Sequence, residues 1–362
     1  MRRFIRNYLS GIDKPLFVTV AALCVFSIFN IYGIGGSQNP FFQKQIIFVI
    51  LGVILMSLFS YFNYRYLKNY PWPVFVLYVG SVILLLAPFL FPTIRGVQSW
   101  IVIGVFTFEP AEFMKLAIII LMAKYFSQRH IHINDYRHVI VSGLYCLIPI
   151  GITLLQPDLG SAIIMLMIWL GMLVAVGLNR RQIFSLVVLI VIAAVAAWMF
   201  ALKPYQQTRI VSFLNPGSDP YGSGYNLIQS KIAVGAGGWF GNGWGRGTQT
   251  RNGFLPEPYN DFVFSATAEQ FGLFGIALIL AGIIFIFRRI LYIGQLAPSN
   301  FGRLFAVGIT ILIAAHAIIG AGVNVGLFPI TGIPFPFISS GGSNLLSLLI
   351  GLGILQSIKR YS

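Results

Sequence analysis

Ten apolar runs, each long enough to cross a membrane, dominate this chain of 362 residues. They fall at residues 15–34, 43–63, 72–92, 109–127, 138–155, 159–178, 182–202, 262–287, 304–325 and 338–358. A helix needs about 20 apolar residues to cross the hydrocarbon core. The core offers no partner to an open strand edge, so the runs are predicted to be helices. None shows the two-residue alternation of a membrane barrel. Hydrophobic residues make up 57% of the chain and charged residues 9%, against about 25% charged in ordinary soluble domains. Little remains for a separate soluble domain, so residues 1–362 read as one all-α integral membrane domain. No small-residue cleavage site follows the first run, which therefore reads as a retained anchor. Cys24 and Cys146 sit inside apolar runs and read as small buried hydrophobes.

The net charge of +15 would point to nucleic acid on a soluble protein. Here it is a topology signal, and nucleic acid is excluded as a partner; the partner surface is membrane lipid. Lys and Arg gather in the short loops of one side, among them Arg2, Arg3, Arg6, Lys14, Arg65, Lys68, Arg180, Arg181, Arg288, Arg289, Lys359 and Arg360. The positive-inside rule then places both termini in the cytoplasm. The acids divide the other way. Glu109, Glu112, Asp158, Asp219, Glu257, Asp261 and Glu269 lie in outer loops or near the outer ends of spans. Buried acids in a bilayer are costly, so their gathering at one face points to chemistry there.

Between the seventh and eighth spans lies a long outer loop, residues 203–260, rich in Pro, Gly and aromatic residues. A loop this long is functional or disordered, and its aromatic content argues against disorder. Within it, 225–234 places Tyr225, Ile228 and Ile232 on one face of a short helix suited to the membrane interface. The segment GAGGWFGNGWGRG (235–247) follows, and its glycines allow a ligand to approach the backbone closely. It lacks the pattern of a nucleotide-binding loop.

Glu112 and Lys115 stand three apart on one helix and can pair. Asp158 opens another span, after the Pro157 that ends its predecessor, and reads as its cap. Two readings stay open: a buried ion network of Glu112, Lys115 and Asp158 locking helices, or a polar cavity that orients a substrate. Asp261 sits where the long loop meets the eighth span. It reads as a helix cap or as a general base or metal ligand. A carboxylate beside the hydrocarbon edge is partly desolvated, which suits a proton acceptor at neutral pH. The last outer loop carries Ser339, Ser340, Ser343 and Asn344, either as a capped turn or as donors to a phosphate. His316 reads as a satisfied core histidine. No Ser-His-Asp order, CxxC or HExxH appears, so hydrolase and zinc readings have no support.

FEPAEFMKL (108–116), LLQPDLGSA (154–162), the stretch 219–249, FLPEPYNDFVF (254–264) and PFISSGGSN (336–344) occur in that order. Together they resemble the SEDS family of shape, elongation, division and sporulation proteins, over about residues 15–360, and its RodA branch more than its FtsW branch. The resemblance implies a peptidoglycan glycosyltransferase of the bacterial cytoplasmic membrane. It would polymerise lipid II for wall elongation and rod shape, by inverting transfer from a polyprenyl pyrophosphate donor to the 4-hydroxyl of N-acetylglucosamine. The family aspartate falls on Asp261, as base or as holder of a divalent cation such as Mg or Mn. Glu112, Lys115, Asp158, Gln229 and Lys231 would line the cavity. Arg209, Lys231, Arg246 and Arg251 are the cations available to the pyrophosphate. A class B penicillin-binding protein is the implied partner.

Departures from the family pattern bear on donor binding. Ser99 stands where an Arg precedes Trp100, with Arg95 as a substitute charge. Glu109 and Ala111 alter the Gln-Pro-Ser-Glu motif, Gln270 follows Glu269 in place of a second acid, and Ser340 replaces a Tyr. The competing classes are a lipid II flippase, which needs polar groups through the bilayer midplane, and a scaffold, which needs no carboxylate at the loop–helix junction.

Overall fold

A computed structural model describes residues 11–93, 96–104, 106–128 and 136–362. Among the described residues the structure is all-α apart from one hairpin. Helices α1 (Lys14–Gly35), α2 (Pro40–Tyr61), the short α3 (Arg65–Asn69) and α4 (Pro71–Leu86) come first. The hairpin β1 (Ile101–Ile103) and β2 (Phe106–Phe108) follows, antiparallel with Ile101 opposite Phe108. Next are α5 (Pro110–Ser127), α6 (Tyr136–Leu155), α7 (Leu159–Val176) and α8 (Arg180–Ala196). The long loop folds into α9 (Pro204–Leu214), α10 (Ser223–Ala236) and α11 (Thr248–Arg251). Helices α12 (Val263–Leu296), α13 (Asn300–Val325) and α14 (Gly342–Arg360) complete the chain.

All ten apolar runs are helices. Among the described residues, nine are long and apolar enough to cross a membrane. The run outside that set is α5, whose 18 residues include Glu112, Lys115 and Lys124. Helix position follows hydropathy in the sense a lipid solvent demands. The most apolar span, Arg180–Phe200, has a mean hydropathy of 2.8 and only 6% of its window buried. The least apolar of the nine, Gly342–Arg360, has 1.2 and 83%. Lipid is itself apolar, so exposing Leu and Val there is free, while Ser343, Asn344, Ser347, Gln356 and Ser357 need protein partners. Helix α14 therefore sits at the centre against α2, α5 and α13, and α5 is buried along nearly all its length.

Helix α12 corrects the sequence boundaries. Its 34 residues rise about 51 Å, more than a bilayer requires. It is two helices joined at Gly272, whose φ of 66° lies in the left-handed region. The glycine-rich segment closes this break. Asn242 and Gly243 N–H donate to the Glu269 and Gln270 carbonyls at 2.9 and 3.1 Å, and Leu273 and Phe274 N–H donate to Gly238 and Trp239 at 2.9 and 3.0 Å. A Cβ on Gly272 would fall 2.4 Å from Gly241 N, so the two backbones need glycine to meet. The glycines thus bring the backbone close to the chain's own broken helix. The interfacial helix is present as α10, but it buries Gly224, Leu227, Ser230 and Ala233 and leaves Ile228 and Ile232 exposed.

At the end bearing the termini, Asp13 is fully buried and joins three helices. It caps α1 by accepting from Leu16 N–H at 3.0 Å. It also accepts from Lys359 Nζ at 2.7 Å and from Arg289, and its own N–H donates to Gln356. Burial opposes its charge, but the Arg289 and Lys359 hydrogen bonds prevail and hold the carboxyl below its usual range. A group with a lowered folded pKa stabilises above its unfolded pKa and loses that contribution as pH falls through the folded value. Asp13→Ala is expected to cost about 2–3 kcal/mol, because it removes the cap of α1 and the charged hydrogen bonds to two partly exposed cations. Thermal unfolding should show this loss at pH 7, and the difference from the parent should narrow as pH falls below the ordinary carboxylate range towards the lowered folded value.

Candidate active site

The buried charges converge on α5. Lys115 Nζ donates to Glu112 Oε1 at 2.8 Å, and both side chains are almost fully buried. Asn344 Nδ2 of α14 donates to Glu112 Oε2 at 3.0 Å, and Ser347 Oγ donates to the Glu112 carbonyl at 2.7 Å. His316 of α13 completes the cluster. Its Nδ1 lies 3.1 Å from the Pro334 carbonyl and its Nε2 3.5 Å from Lys115 Nζ. A carbonyl only accepts, so these partners assign the proton to Nδ1 and leave Nε2 to accept from Lys115.

Asp158 joins less directly than the sequence implied. It caps α7, accepting from Ser161 N–H at 3.1 Å. Ser161 Oγ donates to Glu109 Oε1 at 3.3 Å, and Glu109 N–H donates to Ser343 Oγ at 2.9 Å. From Asp158 the contacts therefore run through Ser161 to Glu109 and on to Ser343, the chain neighbour of Asn344 in the Glu112 cluster. Tyr205 Oη of α9 donates to the Pro157 carbonyl at 3.2 Å, laying α9 over this turn. Gln98 N–H donates to the Gln156 carbonyl at 3.2 Å, tying the half-buried Trp100 segment to the same turn.

Asp261 lies half-buried in the turn before α12. Asn324 Nδ2 donates to its carbonyl at 2.8 Å. The Asn324 Oδ1 accepts from Ser265 N–H and Oγ at 2.9 and 2.7 Å, and its carbonyl accepts from Ser230 Oγ of α10 at 2.8 Å. Ser339 Oγ donates to the Asn260 carbonyl at 2.8 Å, Ser340 N–H to the Tyr259 carbonyl at 2.9 Å, and Ser340 Oγ to the Asn260 side chain. Asn39 of α2 donates to Tyr259 Oη at 2.6 Å, and Phe41 stacks on that ring at 4.7 Å. Burial pushes the Tyr259 hydroxyl pKa up, against the opposing Asn39 bond.

One loop touches every part. Residues 330–344 accept from Arg209 Nη1 at Ile330 (3.4 Å) and pass Gly160 beside Asp158. They then skirt Asp261 at Gly332, where an added Cβ would be 3.9 Å from Asp261 Oδ2. From there they clamp Asn260 and reach His316, Glu109 and Glu112. Glu112, Asp158, Arg209 and Asp261 thus border this one segment, which itself carries Ser343.

The remaining predicted residues are less well placed. Lys231 lies over Gly326 at the end of α13, with Cε 2.0 Å and Nζ 2.6 Å from where a Cβ would stand. Gln229 is half-buried on α10, while Arg246 and Arg251 are exposed. Arg95 lies outside the described residues. Ser99, beside Trp100, is buried. Gln270 is explained by its neighbours: it donates to Asn30 at 3.1 Å and accepts from Gly245 N–H at 3.0 Å, and a carboxylate has no proton for the first. Glu269 is a cap, accepting from Gln249 and Thr250 N–H at 2.6 and 3.0 Å. Asn324 is a residue sequence reasoning missed, and it reads His316 as a core histidine without its place in the cluster. Each is a lone polar group in an apolar helix, which is the signal that could have found them.

Among the described residues no group of three His, Cys, Asp or Glu is placed to hold a metal ion. A dedicated protein cage is thus not the arrangement around Asp261. Magnesium-like binding through one carboxylate plus substrate phosphates fits this donor set.

The fold and site define a class: a multi-pass helical membrane protein with buried charges and an aspartate-bearing loop–helix junction bound to one loop. The FtsW/RodA/SpoVE family model, described as cell cycle protein, matches residues 14–362, and the chain belongs to that family. The peptidoglycan glycosyltransferase MrdB of Escherichia coli (strain K12) is 34% identical over 97% of this chain and 94% of its own length. Stage V sporulation protein E of Bacillus subtilis (strain 168) is 35% identical over 96% and 95%. The solved rod shape determining protein RodA of Thermus thermophilus superposes with a TM-score of 0.71 at 25% identity, covering 96% and 97%. A chain from a peptidoglycan synthase complex that coordinates polymerization and crosslinking superposes at 0.83 and 27%, covering 97% and 98%.

Proposed function

We propose that the chain is a peptidoglycan glycosyltransferase that polymerises lipid II into glycan strands for wall elongation. The observation that carries this reading is the fixed Asp261 turn, held by Asn324 and by Ser339 and Ser340 of the loop that also borders Glu112, Asp158 and Arg209. Asp261 accepts the proton of the acceptor N-acetylglucosamine 4-hydroxyl. That oxygen attacks the anomeric carbon of the donor, whose bond to the pyrophosphate breaks. Attack from the opposite face inverts an α-linked pyrophosphate to a β-1,4 bond. Arg209, bonded to the loop at Ile330, and Lys231, lying over Gly326, are the cations proposed to meet the pyrophosphate charge. A divalent cation, held by Asp261 with the substrate phosphates, would supply further neutralisation.

The same reading sets ten spans across the bacterial cytoplasmic membrane, both termini in the cytoplasm and the site at the outer face. Helix α8 buries only Gln182 and Leu186 and so stands at the edge of the bundle, against lipid. A class B penicillin-binding protein is the proposed partner, in keeping with the synthase complex to which the chain is similar. The charges stand towards one end of the bundle, which favours chemistry over a flippase path through the midplane.

The test is purified protein in detergent or vesicles with lipid II, magnesium or manganese, and the cognate partner. Glycan ladders on a gel are the expected result. No polymer under these conditions, with lipid II appearing on the far side of vesicles, would replace this reading with a flippase. Neither activity would leave a scaffold.

A further inference from the structure

The turn that closes the break in α12 carries two large side chains facing outward. Trp239 is 73% exposed and Phe240 is 82% exposed. They sit beside Leu273 and Phe274, which are exposed on the lipid-facing side of the same helix. Hydrogen bonds from Leu273 to Gly238 and from Phe274 to Trp239 fix this adjacency. The depth follows from helix length. From Arg288, at the charged end of the span, to Gly272 the helix rises about 24 Å, less than the hydrocarbon thickness of about 30 Å. The break and its closing turn therefore lie at the edge of the apolar layer, not in the water above it.

We infer that the turn Gly237–Gly243 is inserted into the leaflet on the Asp261 side, with Trp239 and Phe240 seated against lipid at the hydrocarbon–headgroup boundary. Irregular backbone survives at that depth only when its polar groups are paired. Here the freed Glu269 and Gln270 carbonyls and the Leu273 and Phe274 amides are all paired with the turn. The occupant is the lipid itself, because the aromatic pair continues the lipid-facing surface of α12 without interruption. Aromatic rings are favoured at this level of a membrane. A second aromatic contact fixes the far side of the segment: Trp244 stacks on Phe29 of α1 at 4.4 Å and donates to its carbonyl at 3.0 Å. The half-helix Val263–Phe271 begins two residues after Asp261 and ends at the inserted turn, so the turn anchors the height of Asp261 relative to the membrane. This inference does not depend on which reaction the site performs.

The test places an environment-sensitive fluorophore on Phe240→Cys in lipid nanodiscs, with Arg251→Cys, exposed in the same loop, as the aqueous reference. Cys24 and Cys146 are fully buried and do not compete for the label. The expected result at position 240 is blue-shifted emission, quenching by lipids spin-labelled on the acyl chain, and iodide quenching several-fold weaker than at 251. Equal iodide quenching at both positions, with no effect of the labelled lipids, overturns the inference. A second measurement uses native side chains. Trp239→Phe should lower the share of tryptophan emission quenched by brominated lipids, and an unchanged share also overturns it.

Discussion

Asp261→Asn is expected to abolish glycan polymerisation while leaving the protein folded. Loss of a general base typically costs about 10²–10⁴-fold in rate, enough to remove visible polymer from a gel. The substitution keeps side-chain size and removes the charge. The bonds described here that hold the turn use other atoms: Asn324 donates to the Asp261 main-chain carbonyl, Ser339 to that of Asn260, and Ser340 to that of Tyr259. The thermal midpoint should therefore stay within a few degrees of the parent. Polymer from the Asn variant at parental rate would remove Asp261 from the chemistry. Asn324→Leu provides the contrast. It deletes the bonds to Asp261 and Ser265 together and should lower activity and stability in parallel.

How much of this was legible depended on whether the signal was local. Each apolar run falls on a long helix, nine of them candidate spans among the described residues, because hydropathy over about 20 residues is a property of the sequence alone. The pairing of Glu112 with Lys115 followed from their spacing on one helix. Asp158 as a cap followed from the Pro157 before it. What escaped was set by distant partners. The hairpin Ile101–Phe108 is too short for periodicity to register. The break at Gly272 exists because Gly241, remote in sequence, needs its backbone there. Glycines that read as a ligand cradle turned out to contact the chain itself. His316 looked like a satisfied core histidine, and it is satisfied, but by an ion cluster assembled from α5, α13 and α14.

The Glu112–Lys115 pair can be separated into its structural and functional parts. Lys115→Met alone leaves a buried carboxylate without its cation and is expected to cost about 3–5 kcal/mol, with loss of activity that by itself decides nothing. The double variant Glu112→Gln, Lys115→Met removes both charges. The Gln carbonyl still accepts from Asn344, and Ser347 still donates to the main chain at residue 112. Thermal stability should return close to the parent, since replacing a whole buried pair by neutral groups is often neutral or stabilising. Polymerisation should not return. The reason lies in the charge balance: Glu109, Glu112 and Asp158 surround a single lysine, close enough for each to feel its charge. A lock built for stability gains nothing from further acids held half-buried beside it, whereas a cavity that binds a polar, cation-accompanied substrate uses them. A double variant that is both stable and fully active would show that the cluster only holds α5 in place.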